Sequence, residues 1–314
     1  MLHDRVRLVI TDLDNTLYDW VTFFARSFDA MTKRAAAILD VSEEVLLDDV
    51  KRVHQRHHNS EHPFALLETD IVVRRFPNAT RLERKAALDD AFYAFNRARK
   101  ESLRLYPGVE AALETIRASG AVVIGHTEAS VANALFRLGK LGLFRWIDRV
   151  YAIEDSGDGH PSGRDPAAPE HRERVRVLGH HERKPDTRVL LDICRDHGVA
   201  PGDALYVGDS LVSDMAMAKG AGVWAAWAKY GTVYEKERWE TLTRVTHWTE
   251  EMVERAARAR EAREGDGKGE VVPDLILERG FGEVVERLAF AAPQAATPSA
   301  SDWREARIAE DVEL

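Results

Sequence analysis

VITDLDNTLYDW, residues 9–20, is the stretch on which the fold turns. The apolar run Leu8, Val9 and Ile10 ends abruptly in an acidic turn. A buried strand delivers polar groups in this way to the carboxyl edge of a sheet, where open α/β folds bind ligands. Asp12 and Asp14 lie two apart, so in an extended geometry they point the same way, and Thr16 adds a hydroxyl just beyond. Two carboxylates this close repel unless one is protonated or a cation sits between them. A solvated acidic turn has the same composition, so the pair alone leaves both readings open.

Working outward, residues 6–12 form the first expected strand, and residues 19–104 read as almost continuously helical, as in VTFFARSFDAMTKRAAAILD. Tyr106-Pro107-Gly108 breaks that pattern, and a helix follows that Gly120 ends. AVVIG (121–125) reads as a second strand, and WIDRVYAI (146–153) contains a third. Residues 154–183, rich in Gly, Pro, His and charge, read as a long loop. ALYVGD (204–209) and GVWAAWA (222–228) are the fourth and fifth strands. Residues 232–270 are charged, with an exposed helix expected over 250–264 that stops at Gly265. PDLILERGFGEVVERLAF then supplies a last short strand and a closing helix. Alternation of strands and helices over 106–227 predicts an α/β fold with a doubly wound, mostly parallel, Rossmann-like sheet. From 292 to 314 the chain turns to Ala, Pro, Ser and acid, and a disordered tail is expected.

Three further polar points stand at strand ends. Thr127 follows AVVIG, where a hydroxyl and the N-terminus of a helix near Ser130 suit an oxyanion; an ordinary cap is the plainer alternative. Lys184, in RKPDTRVL, sits just outside a helix start, where a cation suits phosphate; a solvent-exposed lysine is the alternative. ALYVGDSLVSD brings Gly208, Asp209 and Asp214, with the glycine allowing a sharp turn; two capping aspartates are the alternative. In combination these points give carboxylates for a divalent cation, a carboxylate for proton transfer, and a hydroxyl and a cation for an anion. That is the inventory of a phosphoryl-transfer site.

With D-L-D-N-T at 12–16, Thr127, Lys184 and G-D-S-L-V-S-D at 208–214 in this order, the chain resembles the haloacid dehalogenase-like superfamily. The resemblance covers about 6–18 and 106–230, plus 272–290. It implies a core from 1–18 and 105–291, with residues 19–104 as an inserted helical cap. It implies Asp12 as nucleophile through an aspartyl-phosphate, and Asp14 as general acid and then base. It also implies Mg²⁺ held by Asp12, the Asp14 carbonyl and Asp209 with support from Asp214, and phosphoryl oxygens held by Thr127 and Lys184. Hydrolytic dehalogenases of this kind lack the acid two residues after the nucleophile, so Asp14 points to phosphatase chemistry on small phosphorylated metabolites, sugar phosphates or nucleotides. A phosphotransferase or phosphomutase, or a non-catalytic relative, are the rivals. Glu128 departs from the Asn often found in relatives; it is expected to face away, with selection among substrates as the alternative. The polar stretch HQRHHNSEHPF (54–64) offers His57, His58 and Asn59 as substrate contacts, with an exposed loop as the alternative.

Composition narrows the partners. The chain has 314 residues, is 45% apolar and carries a formal charge of -9 without a long basic block, which disfavours a nucleic-acid backbone. No apolar run approaches membrane-spanning length, and the start does not read as a signal peptide. The one cysteine, Cys194, reads as packing in a helix and suits a reducing, cytoplasmic setting. His160, His171, His180 and His181 match no compact zinc spacing and read as a solvated loop.

Overall fold

The structure is a computed structural model and describes residues 6–62, 64–155, 169–254 and 271–293. Its centre is strand β1 (Leu8–Thr11), all four residues of which are buried. Leu8 and Ile10 enter the core on one face of the sheet, and Val9 enters the core on the other. A strand covered on both faces needs this continuous apolar run rather than alternation with polar residues.

β1 pairs in parallel with β2 (Val122–Ser130) on one side and β5 (Ala204–Gly208) on the other. The sheet continues through β3 (Arg149–Ile153) and β4 (Val175–Leu178) beyond β2, and through β6 (Trp224–Trp227) and β7 (Leu275–Ile276) beyond β5. All seven strands are parallel, in the order β4-β3-β2-β1-β5-β6-β7. The expected α/β class and parallel sheet are therefore observed.

Between β1 and β2 the chain forms α1 (Trp20–Leu39), α2 (Glu43–His57), α3 (Asp70–Arg75), α4 (Arg81–Ala87), α5 (Asp89–Ser102) and α6 (Val109–Ala118). α1 buries Phe24, Phe28, Met31 and Ala35, the 3–4 spacing of one apolar face. α7 (Val131–Leu141) follows β2, α8 (Thr187–Asp196) precedes β5, α9 (Ala216–Gly220) precedes β6, and α10 (Lys236–Val245) lies between β6 and β7. The closing helix spans Glu283–Arg287.

The expected loop 154–183 contains β4. It escapes a sequence reading because it has only four residues, flanked by charge, and sits at the sheet edge, where Val177 stays 54% exposed. Arg174, just before it, bonds the carbonyls of Phe144, Ile147 and Asp148 and ties the edge to the turn before β3. Of the helix expected over 250–264, residues 250–254 are helical and the rest lie outside the described residues, as does the tail from 294. Among the described residues no helix is long and apolar enough to cross a membrane.

Candidate active site

Strand register brings the polar points together. Thr11 is level with Gly125 of β2 and Val207 of β5, so the next residues of all three strands emerge at one edge. The Asp12 amide donates to the Val207 carbonyl at 2.8 Å, holding the turn beside Gly208. Asn15 makes that turn possible: it adopts the left-handed conformation that asparagine tolerates, and its Oδ1 accepts from the Trp20 and Val21 amides at the start of α1. A second brace comes from the segment after β6. The Tyr230 hydroxyl donates to the Thr16 carbonyl at 2.5 Å, and any side chain at Gly231 would collide with the Asn15 carbonyl.

Asp12 is 6% exposed. Lys184 Nζ lies 2.5 Å from Asp12 Oδ1 and 2.8 Å from Asp214 Oδ1, and the Thr16 hydroxyl donates to Asp12 Oδ2 at 3.2 Å. Asp214 sits in the π-helical turn Leu211–Met215, where it accepts from the Ser210 amide at 3.0 Å and the Tyr206 hydroxyl at 3.2 Å. A side chain at Gly208 would strike the Asp214 carboxylate, so that position requires glycine. Carboxylate oxygens of Asp12, Asp209 and Asp214 lie within 4.8 Å of one another. Thr127 is buried in the last part of β2, next to a break in its pairing with β3, and its Oγ1 accepts from the Ala129 amide at 3.1 Å.

Burial pushes the Asp12 carboxyl well up; Lys184 pulls it down, and Asp214, Asp209 and Asp14 push it further up. Burial opposes the Lys184 charge, yet Asp12 and Asp214 outweigh that and raise its pKa well above the ordinary value. With all three carboxyls ionised, three carboxylates against one ammonium would leave an excess of two negative charges. An oxygen-only donor set with that excess fits a hard divalent cation.

The sequence did not reveal what holds Asp14. Arg137 of α7, 1% exposed, donates from one guanidinium nitrogen to both Asp14 oxygens at 2.8 and 2.9 Å, and from another to Glu61. Trp20 Nε1 also donates to Glu61, at 2.6 Å. Burial raises the Asp14 carboxyl, Arg137 opposes this and Glu61 reinforces it. Arg137 lies beside the apolar stripe of α7 (Val131, Ala134, Leu135, Leu138), and an arginine there reads as solvent-facing until tertiary packing covers it.

Asp12, Asp14, Glu61, Thr127, Lys184, Asp209 and Asp214 line one end of a cavity of about 1150 Å³. His57, His58 and Asn59 line it too, as expected, but His57 is already committed. It stacks on His62 at 4.0 Å, and the two rings bond the two Glu68 oxygens at 2.7 Å each. Burial would raise the Glu68 carboxyl, but His62 and His57 bring it down to about 2. Glu128 also lines the cavity, 3.9 Å from Arg183, so it does not face away. His180 lines the cavity and His171 stacks on Phe144; among the described residues neither, nor His181, joins a cluster able to hold a metal, and His160 lies outside them. Cys194 is buried in α8, and burial pushes its thiol up to about 12, in keeping with packing.

The far wall was missed as well. It carries Tyr234, Trp239, Leu242, His247, Trp248 and Met252, from the segment read only as charged. That segment is fastened to the helical segment before β2. Lys51 Nζ donates to the Thr243 carbonyl at 3.0 Å, His54 Nδ1 meets the Val245 carbonyl at 2.6 Å, and Ser60 Oγ bonds both His247 Nδ1 (2.6 Å) and the His247 amide (3.0 Å).

A family model described as haloacid dehalogenase-like hydrolase matches residues 6–222. A phosphoglycolate phosphatase of Pseudomonas aeruginosa is 29% identical over 72% of this chain and 70% of its own length. A glyceraldehyde 3-phosphate phosphatase of Methanopyrus kandleri is 25% identical over 69% of this chain and 82% of its own. Among solved structures, a 2-haloacid dehalogenase from Pseudomonas syringae pv. Tomato DC3000 superposes with a TM-score of 0.53 at 19% identity, over 90% of this chain and 97% of that one, a likeness of fold alone.

Proposed function

Since this chain belongs to the haloacid dehalogenase-like hydrolase family, we propose that it is a Mg²⁺-dependent phosphatase of small phosphomonoesters, working through an aspartyl-phosphate. The observation that carries the reading is the buried contact of Asp12 with Lys184, with a second carboxylate, Asp14, two residues on and lining the same cavity. The phosphatase relatives from P. aeruginosa and M. kandleri support it.

An Asp12 carboxylate oxygen attacks phosphorus and forms a P–O bond while the ester P–O bond breaks. Asp14 passes its proton to the departing alkoxide. Water then attacks the acyl phosphate, Asp14 takes its proton, and the bond to Asp12 breaks, releasing inorganic phosphate. Lys184 offsets the charge of an anionic nucleophile meeting an anionic substrate, and Thr127 donates to a phosphoryl oxygen. Arg137 holds Asp14 in place between the two proton transfers. Asp12, Asp209 and the Asp14 carbonyl, with Asp214 behind them, would hold Mg²⁺, which would supply charge neutralisation at the phosphoryl group.

We read residues 19–104 as a cap whose tip, His57 to Glu61, closes over the site and excludes water. The concave cavity beneath it suits a small phosphorylated metabolite rather than a nucleic acid or a membrane surface. The single buried cysteine suits a reducing, cytoplasmic setting. The test is Mg²⁺-dependent phosphate release from p-nitrophenyl phosphate. Asp12→Asn is expected to lower kcat by roughly a thousandfold or more. Turnover that survives in Asp12→Asn would sink the proposal.

A further inference from the structure

The cavity has two unlike ends. One holds the buried charges around Asp12; the other presents a run of aromatic rings on the segment after β6. Tyr234 and Trp239 stack at 5.1 Å between ring centroids and 11° between planes, and Trp239 meets Trp248 at 5.5 Å and 53°. All three rings are partly buried: they pack against the core and also line the cavity. Leu242 and Met252 extend the same wall. His58 and Asn59 add polar groups to the lining, and Ser210 lies beside the carboxylates, its amide bonded to Asp214.

This wall is held in place rather than draped. α10 packs on α1 and α2, and the bonds from Lys51, His54 and Ser60 fix its far end against the helical segment. A two- or three-carbon phosphate ester fills only a fraction of about 1150 Å³ and leaves the rings in water. Drug-sized ligands occupy cavities of about 300–1,000 Å³. Burying apolar surface is favourable in proportion to area, and aromatic planes stack readily on planar rings.

We propose that the alcohol portion of the substrate carries a planar aromatic ring, which stacks on the Tyr234–Trp239–Trp248 wall while the phosphate sits at Asp12. Trp239, in contact with both neighbouring rings, is the specificity-determining residue. The inference rests on the phosphatase reading for its chemistry but not for its binding surface.

The full-length protein with Mg²⁺ is assayed on a 5′-mononucleotide, a simple aryl phosphate, ribose 5-phosphate and phosphoglycolate. At least one ring-bearing ester is expected to exceed both ring-free ones in kcat/KM by about tenfold or more. The nucleotide ranking first identifies a ring reached across a sugar; the aryl phosphate ranking first identifies a ring close to the phosphate. Ring-free esters that match or surpass both overturn the proposal. Trp239→Ala is expected to lower the ring-bearing to ring-free ratio about tenfold, mainly through KM, and Trp239→Phe to restore most of it. An unchanged ratio in folded Trp239→Ala also overturns it. Tryptophan fluorescence of Asp12→Asn, titrated with the unphosphorylated nucleoside and with an aryl alcohol, reads the wall without turnover. Saturable quenching supports the ring site, and its absence with both ligands overturns it. If no ester releases phosphate, the phosphatase reading fails, while the quenching experiment still decides the ring site.

Discussion

The two ends of the cavity are built by different means. The Asp12 end is assembled from the carboxyl ends of three adjacent strands and the start of α8, and its charges are buried and mutually paired. The aromatic end comes from the segment after β6, pinned to helices about 190 residues earlier by hydrogen bonds to backbone carbonyls and one serine. Strand register aligns the strand ends of the first, so a short motif at each suffices to specify it. The second has no such register, and its specificity depends on how two separate segments pack.

The largest expected effect breaks the first end. Lys184→Met leaves Asp12 and Asp214 buried around a missing cation. It is expected to cost about 3–5 kcal/mol of stability in chelator, measured by urea unfolding, with activity lost. A loss under about 1 kcal/mol would mean that these carboxylates are solvated, which would erase the contrast between the ends.

Next is the joint between the ends. Arg137→Met strands Asp14 and Glu61, which are more exposed than Asp12, so a cost of about 3 kcal/mol is expected. Adding Glu61→Gln should recover part of it. Strict additivity in this double-mutant cycle would show that Arg137 does not couple the helical segment to Asp14.

The smallest effect sharpens the second end. Burial lowers His54 to about 4; its bond to the Val245 carbonyl opposes this, and His62, His247 and His57 add to it. The unfolded chain therefore takes up this proton first as pH falls. Stability is fully present above the unfolded value of about 6.5 and is lost toward the folded one, by about 2 kcal/mol between about pH 7.5 and about pH 5. Thermal melts across that range should show this slope, and His54→Gln should lack it. Equal slopes in both proteins would place the wall's pH sensitivity elsewhere.

Legibility in the sequence followed the same divide. The strands carrying Asp12, Thr127 and Asp209 stand out because a strand buried on both faces must be apolar and must then end in polar residues. β4 did not, because an edge strand of four residues with one open side needs no such run. Arg137 on α7 and Glu61 in the turn after α2 did not, because a charged residue on a helix or in a turn looks solvent-facing until another segment covers it. Trp239 and Trp248 were visible as residues but lay in a stretch dominated by charge, with no periodicity to show a shared face.

What the sequence determined by itself is the α/β family and the set of polar groups that gather at one sheet edge, since local apolar runs and the residues just past them encode both. Only the tertiary structure decided what Asp14 is bound to and what the cavity presents to a substrate. Those depend on contacts between residues 54–61, 137 and 234–252, and burial by a distant segment leaves no mark on the local pattern that it covers.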